Sequence, residues 1–289
     1  YVWSSGETTS SISTGVSGNY SVTVFNANGC SATSAATAVL VNNLPTATIT
    51  AGGATTFCAG SSVSLSANSG TGLTYQWSNG SNNQTITATT AGNYTVTVTN
   101  ADGCSSTSAA TTVTVTALPV VASITGTTAV CTGSTTTLSS TTASGVWTSS
   151  NTAVATIDAS TGVVTGVTAG TSTITYTVTV GGCTNSTTAV VTVNALPTAT
   201  ITTIGATTFC AGGSVSLVGP SAPAGMTYSY QWNLGGTAIS GATSSSYTAN
   251  AAGSYTLTVT NNNGCTSTSA ATVVTVNALP TVAAITGTT

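Results

Sequence analysis

The sequence predicts an all-β protein made of several β-sandwich domains in tandem, and three observations carry that reading. A block of motifs recurs along the chain, side chains within it alternate large and small, and Asn-Gly or Asp-Gly pairs separate the alternating runs. Recurrence at a fixed period marks a repeat architecture. Strict alternation marks a strand with one wet face, and Asn-Gly or Asp-Gly is the strongest short signal for a hairpin.

The junctions set the frame. Asn42 to Thr50 reads NNLPTATIT, Thr116 to Thr125 TALPVVASIT, Asn194 to Thr202 NALPTATIT and Asn277 to Thr286 NALPTVAAIT. They divide the chain into residues 1–43, 44–118, 119–196, 197–279 and 280–289. Pro45, Pro119, Pro197 and Pro280 act as linker residues, because a fixed φ stiffens the connection.

Domain two (44–118) runs TFCAG, VSLSA, YQWSNG, AGNYTVTVTNADGC and TTVTVT, and domain four (197–279) repeats that order as TFCAGG, SVSLV, YQWNLGG, AAGSYTLTVTNNNGC and TVVTVN. Residues 1–43 match only the second half of the pattern, and 280–289 copy the first strand of domain three. The expectation is a window cut from a longer array, beginning and ending inside a domain.

Within each unit, Tyr94, Val96 and Val98 face one way while Thr95, Thr97 and Thr99 face the other, and Ile174, Tyr176, Val178 and Val180 alternate likewise. Short strands with turns every 8 to 12 residues argue a sandwich. The expected core is one Trp on the third strand of each unit (Trp3, Trp77, Trp147, Trp232) with Tyr20, Tyr94, Tyr176 and Tyr255. The Thr-x-Thr rows read as the solvent side of strands rather than as an ice-binding face.

Seven cysteines fall two to each complete unit, with Cys30 left over. Even pairing in polar repeats implies disulfides in an oxidising, extracellular setting. Repeat logic favours pairing inside domains: Cys58 with Cys104, Cys131 with Cys183, Cys210 with Cys265, and Cys30 with a residue preceding Tyr1. If the two cysteines lie at opposite poles of a sandwich, beyond disulfide reach, the alternative is head to tail, Cys58 with Cys183 and Cys131 with Cys265.

Charge excludes most other functions. The acidic residues are Glu7, Asp102 and Asp158, and Lys, Arg and His are absent. General acid-base and nucleophilic catalysis need such groups, so no enzyme is expected. Nucleic-acid binding draws its affinity from Lys and Arg, as does attraction to anionic membranes, and no apolar run is long enough to insert in a bilayer. One acid per domain cannot assemble a calcium site, and two cysteines without His argue against zinc. No cofactor or metal is expected. Asp102 and Asp158 read as turn residues. The Asn-x-Ser/Thr sequons at Asn19, Asn79, Asn83, Asn93 and Asn185 are of the number chance supplies in a chain so rich in Asn and Thr.

The pattern FCAGSSVSLSA, YQWSNG, AGNYTVTVTNADGC and VTVTALP resembles the Ig-like and PKD-like repeats of giant cell-surface and secreted proteins of Bacteroidota. Val146 to Val178 resembles the bacterial Ig-like domain of group 2. The resemblance spans essentially the whole chain and implies Ig-like β-sandwiches in an elongated rod, export by the type IX route, and an extracellular or cell-surface location. A self-associating fibre or filament is the function so implied, or one that holds a distal domain away from the cell. The alternatives are the stalk of a single-chain adhesin or the spacer of a secreted enzyme. Expected partners are copies of the chain itself, then other cells, surfaces or glycans, with Asn79 to Gln84 as the candidate glycan loop.

Overall fold

The computed structural model describes residues 1–283. Residues 284–289, on which most of the expected strand of a further domain falls, lie outside the described residues. The chain divides into two compact units, Tyr1–Leu118 and Pro119–Thr289.

In the first unit, five short strands come first: β1 (Val2–Trp3), β2 (Gly18–Tyr20), β3 (Val22–Phe25), β4 (Ser31–Thr33) and β5 (Thr37–Val39). They form a β1-β3-β4 sheet and a β2-β5 pair. Domain two follows with β6 (Ile49–Ala51), β7 (Thr56–Cys58), β8 (Val63–Ala67), β9 (Thr74–Trp77), β10 (Thr85–Ala88), β11 (Gly92–Tyr94), β12 (Val96–Thr99), β13 (Ser105–Thr107) and β14 (Thr111–Thr116). Its sheets are β10-β8-β6, β11-β14-β7 and β13-β12-β9.

The second unit opens with β15 (Thr125–Gly126), β16 (Ala129–Cys131), β17 (Thr135–Ser139), β18 (Val146–Ser149), β19 (Ala155–Ile157), β20 (Val163–Gly166), β21 (Gly170–Val180) and β22 (Cys183–Asn194). These make the sheets β15-β17-β20-β19 and β16-β22-β21-β18. Domain four has β23 (Thr202–Ile204), β24 (Thr208–Cys210), β25 (Val215–Val218), β26 (Tyr228–Leu234), β27 (Thr237–Ala238), β28 (Ser246–Ala249), β29 (Gly253–Asn261), β30 (Thr266–Thr268) and β31 (Thr272–Asn277). One sheet is β23-β25-β28, and the other is β24-β31-β29-β26-β27 with β30 on β29.

Each complete domain is thus a sandwich, and its first strand changes sheet midway. β6 pairs antiparallel with β8 in one sheet, whereas β7 pairs parallel with β14 in the other, and Gly52 and Gly53 lie between them. The same switch separates β15 from β16 and β23 from β24. This split moves the Trp to the fourth strand of each complete domain rather than the third. Trp77, Trp147 and Trp232 are buried, as are Tyr94, Tyr176 and Tyr255.

The tyrosines are fixed at both ends. Tyr94 Oη donates to the Thr90 carbonyl at 3.0 Å and Tyr255 Oη to the Ala251 carbonyl at 3.0 Å, four residues upstream in each case. Tyr20 repeats the bond to Val16 at 2.9 Å. Such a corner satisfies the hydroxyl while the ring fills the core. In domain three Tyr176 instead reaches across to the Thr142 carbonyl at 2.7 Å and packs its ring 4.4 Å from that of Trp147.

Candidate functional site at the domain junction

The junction between domains three and four concentrates the chemistry of the second unit. β16 runs parallel to the end of β22, with Cys131 opposite Asn194. Asn194 is the last strand residue before the linker, so Cys131 lies at the pole of domain three that faces that linker. On the other side, the hairpin Asn261–Cys265 of domain four returns to the same linker. Asn261 Nδ2 donates to the Ala195 carbonyl at 3.0 Å, and Cys265 Sγ lies 4.0 Å from the Asn194 carbonyl oxygen.

Cys131 and Cys265 are bonded, with Cα atoms 5.6 Å apart across a sequence separation of 134. The expected pairing inside domains is overturned. Cys131 is joined to Cys265 rather than to Cys183, Cys265 is not joined to Cys210, and Cys58 is not joined to Cys104, whose thiol is free. Cys30, Cys104 and Cys210 are free.

The reason is strand length. Cys183 opens β22 and Asn194, which faces Cys131, closes it, so Cys131 and Cys183 are separated by the eleven residue steps of β22, about 36 Å at 3.3 Å per residue. A disulfide spans at most about 7 Å between Cα atoms. Two cysteines per repeat suit either pairing, and only their placement at opposite poles decides between them.

Asn261 is the residue that sequence reasoning missed. It is 5 % exposed, and its Oδ1 accepts the amides of Asn263 and Cys265, each at 3.0 Å. One side chain therefore shapes the hairpin with its oxygen and clasps the linker with its nitrogen. Asn100 does the same in domain two, accepting from Asp102 and Cys104 and donating to the Asn43 carbonyl at 3.0 Å. Asn26 accepts from Asn28 and Cys30. Its signal was present in the sequence, since Asn recurs four residues before each of Cys30, Cys104 and Cys265. The following turn needs Gly29, Gly103 and Gly264 at positive φ, a conformation glycine adopts without steric cost. In domain three a Gly181-Gly182 turn replaces this hairpin, and Asn185 Nδ2 binds the Pro119 carbonyl at 2.9 Å.

The linker prolines occupy different surroundings. Pro197, at the stapled junction, is buried; Pro45 and Pro119 are half-buried and Pro280 is exposed.

The acids serve turns. Asp158 Oδ1 accepts from the Thr161 amide at 2.7 Å, the Thr161 hydroxyl at 2.9 Å and the Ser160 amide at 3.0 Å, which holds its carboxyl below the ordinary value. Asp102 sits in the hairpin shaped by Asn100. In the candidate glycan loop, Asn79 Oδ1 accepts from the Ser81 amide, the Asn83 carbonyl accepts from Trp77 Nε1, and Gln84 Nε2 donates to Ala67. Its polar groups are thus partly engaged in holding the loop on its own domain.

Residues 46–115 match the PKD domain family, and residues 109–191 match the bacterial Ig-like domain of group 2. The chain is a tandem of Ig-like repeats. No curated protein sequence matches it. Among solved structures it is similar to the N-terminal four Ig domains of Dscam1 isoform 9.44, at 12 % identity over 96 % of this chain and 90 % of that one, with a TM-score of 0.24. It is similar also to extracellular domains 3–5 of Drosophila OTK (12 % identity, 77 % of this chain and 93 % of that one, TM-score 0.29). A third is the I-band fragment I67–I69 of titin (11 % identity, 78 % and 95 %, TM-score 0.31). PKD and Ig-like repeats are typically non-catalytic structural modules, and those of this type are commonly extracellular. Among the described residues no helix is long and apolar enough to cross a membrane.

Proposed function

We propose that these repeats are a structural part of an extracellular bacterial fibre or filament, in which Ig-like domains self-associate or hold a distal domain away from the cell. The observation that carries this reading is the Cys131–Cys265 bond, which joins consecutive domains instead of closing either one. A staple between domains adds nothing to a binding pocket; it fixes one module to the next. Disulfides of this kind also belong to oxidising compartments. A surface with three acids and no base is compatible with close lateral association, since near-zero net charge favours contact between copies. Exposed valines on the second unit, among them Val180, Val190 and Val273, offer apolar area to such contacts.

A single-chain adhesin stalk is the second reading, and the recurrence of one motif order in successive domains favours it. Native material boiled in denaturant with and without reductant separates the two. Small subunits, released by boiling alone or only with reductant where disulfides also link copies, are expected for a filament of separate chains. A very large band that survives reduction replaces it with one covalently repeated chain. Immunogold labelling then tests the location: label along extracellular fibres is expected, and label confined to the cytoplasm overturns both readings.

A further inference from the structure

Domain three differs from its sisters in the strand that follows the last hairpin. In domain two Thr97 faces Thr107 while Tyr94 faces Thr111, so three steps along one strand oppose four along the other. In domain four Thr258 faces Thr268 and Tyr255 faces Thr272, with the same extra residue. A β-bulge therefore breaks both strands, at Ser108 and Ser269, whose hydroxyls accept the Val96 and Leu257 amides at 3.1 and 2.9 Å. β22 has no such insertion. From Cys183 opposite Val180 to Val193 opposite Gly170 its register never slips, and its twelve residues include no proline and no charge.

The outer edge of this straight strand is covered at one end. β16 pairs with Thr192–Asn194, and the Thr192 amide donates outward to the Thr128 carbonyl at 2.8 Å. Antiparallel pairing turns successive residues to opposite edges, so the amides and carbonyls of Thr184, Ser186, Thr188 and Val190 point the same way as those of Thr192. Among the described residues the Ser186 amide alone of these groups has a partner, Asn185 Oδ1 at 2.9 Å. The side chains beside the edge are open as well: Thr184, Ser186 and Thr188 are exposed and Val190 is 56 % exposed. An unpaired row of this kind is a template for another strand, and the devices that blunt such an edge are bulges, prolines and charged side chains. Domains two and four carry the bulge. Domain three carries none of the three.

We infer that this edge of β22 pairs antiparallel with the same edge of a second copy of the chain, about a two-fold axis at Thr187. The inference rests on the self-association proposed above and names its surface. The open stretch from Thr184 to Val190 lies between the Gly181-Gly182 turn and the part of the strand that β16 covers, and Thr187 is its midpoint. With the axis there, Thr184 faces the partner's Val190, Ser186 faces the partner's Thr188, and each outward amide meets an outward carbonyl. Such an isologous contact sets a strand against its own sequence. Charged side chains on it would meet their own kind, and β22 has none. The cross-strand pairs are instead Thr with Val and Ser with Thr, which suit a pleated sheet.

The test uses the intact chain with its free thiols alkylated, so that Cys30, Cys104 and Cys210 make no bond between copies. Sedimentation equilibrium gives the state of association, and hydrogen exchange followed by NMR reads single amides. As concentration rises, monomer should give way to dimer, and the amides of Thr184, Thr188 and Val190 should become protected by about tenfold or more. The Ser186 amide, already held by Asn185, should change least. Thr188→Pro deletes an outward amide and no bond inside the domain. It should leave the fold in place and weaken dimerisation by about thirtyfold, because the two-fold axis loses the bond twice. Thr188→Lys sets two ammonium groups diagonally across the axis, so it should weaken dimerisation at low salt and recover as salt rises.

Dimers in which the three amides stay unprotected would overturn this edge and leave the fibre reading intact, with its contacts elsewhere. A chain that stays monomeric at every concentration would overturn the second copy as occupant and leave the edge to a strand of another protein. The gel and the immunogold labelling then decide the fibre reading separately.

Discussion

Asn261 grips the Ala195 carbonyl at 3.0 Å, so a single buried amide ties the last hairpin of domain four to the linker it received from domain three. Its side-chain oxygen supports the turn that presents Cys265. Hairpin shape and junction geometry therefore share one side chain. Asn261→Ala should leave the Ala195 carbonyl and the Asn263 and Cys265 amides short of partners and cost about 1–3 kcal/mol. Asn261→Asp should keep the two accepted bonds, lose the donated one, and set a carboxylate against the Ala195 carbonyl. Urea unfolding of the two variants would show whether the linker bond or the turn bonds matter more.

Removing the staple tests the junction differently. By chain-entropy arithmetic a bridge across a separation of 134 residues lowers the freedom of the unfolded pair by about 5 kcal/mol. Cys131→Ser should lower the denaturant midpoint of domains three and four together. A loss confined to one of them, read by hydrogen exchange, would contradict a bond that serves the pair.

Trp77 is 2 % exposed within a closed core, and its truncation to Ala should cost about 3–5 kcal/mol. Urea unfolding, with hydrogen exchange at β12 as the local reading, would measure the loss.

Asp158 gives a dependence on acid. Its carboxyl is held low by Thr161 and Ser160, so its contribution is present above the unfolded value near 3.8 and is lost as pH falls through the folded one. The Thr161 amide shift, followed by NMR, should titrate below 3.8. Asp158→Asn, which keeps an acceptor oxygen, should abolish that titration.

Tyr255 gives the opposite dependence. Burial, and then the neighbouring Tyr247, raise its phenol above 10. Its contribution is complete below the unfolded value and declines as pH rises through the folded one. Tyr255→Phe should flatten this alkaline decline and, by removing the bond to Ala251, cost about 1 kcal/mol. Thermal unfolding between pH 8 and 11 would read both.

Repetition made the fold legible. Alternation in Tyr94 to Thr99 named the buried face because a strand has only two faces, and the recurring Trp marked each core. The division of the first strand between two sheets was not legible, since Gly52 and Gly53 read equally well as a plain loop. Disulfide pairing was hidden for a topological reason. Cys131 and Cys183 share a repeat but sit at opposite ends of it, and spacing along the chain does not record which pole a residue reaches. Asn261 escaped notice because Asn is common in turns, and its reach to the preceding linker depends on the angle at which the hairpin returns.

The bond between Cys131 and Cys265 also decides how this stretch answers a pull. Tension entering at domain three can cross to domain four through sulfur, bypassing the linker and both hydrophobic cores. The intervening chain, roughly 450 Å if drawn out straight, stays out of the load path while that bond holds. Under stretch the two domains would then behave as one short link of nearly fixed length, and reduction would turn that link into slack.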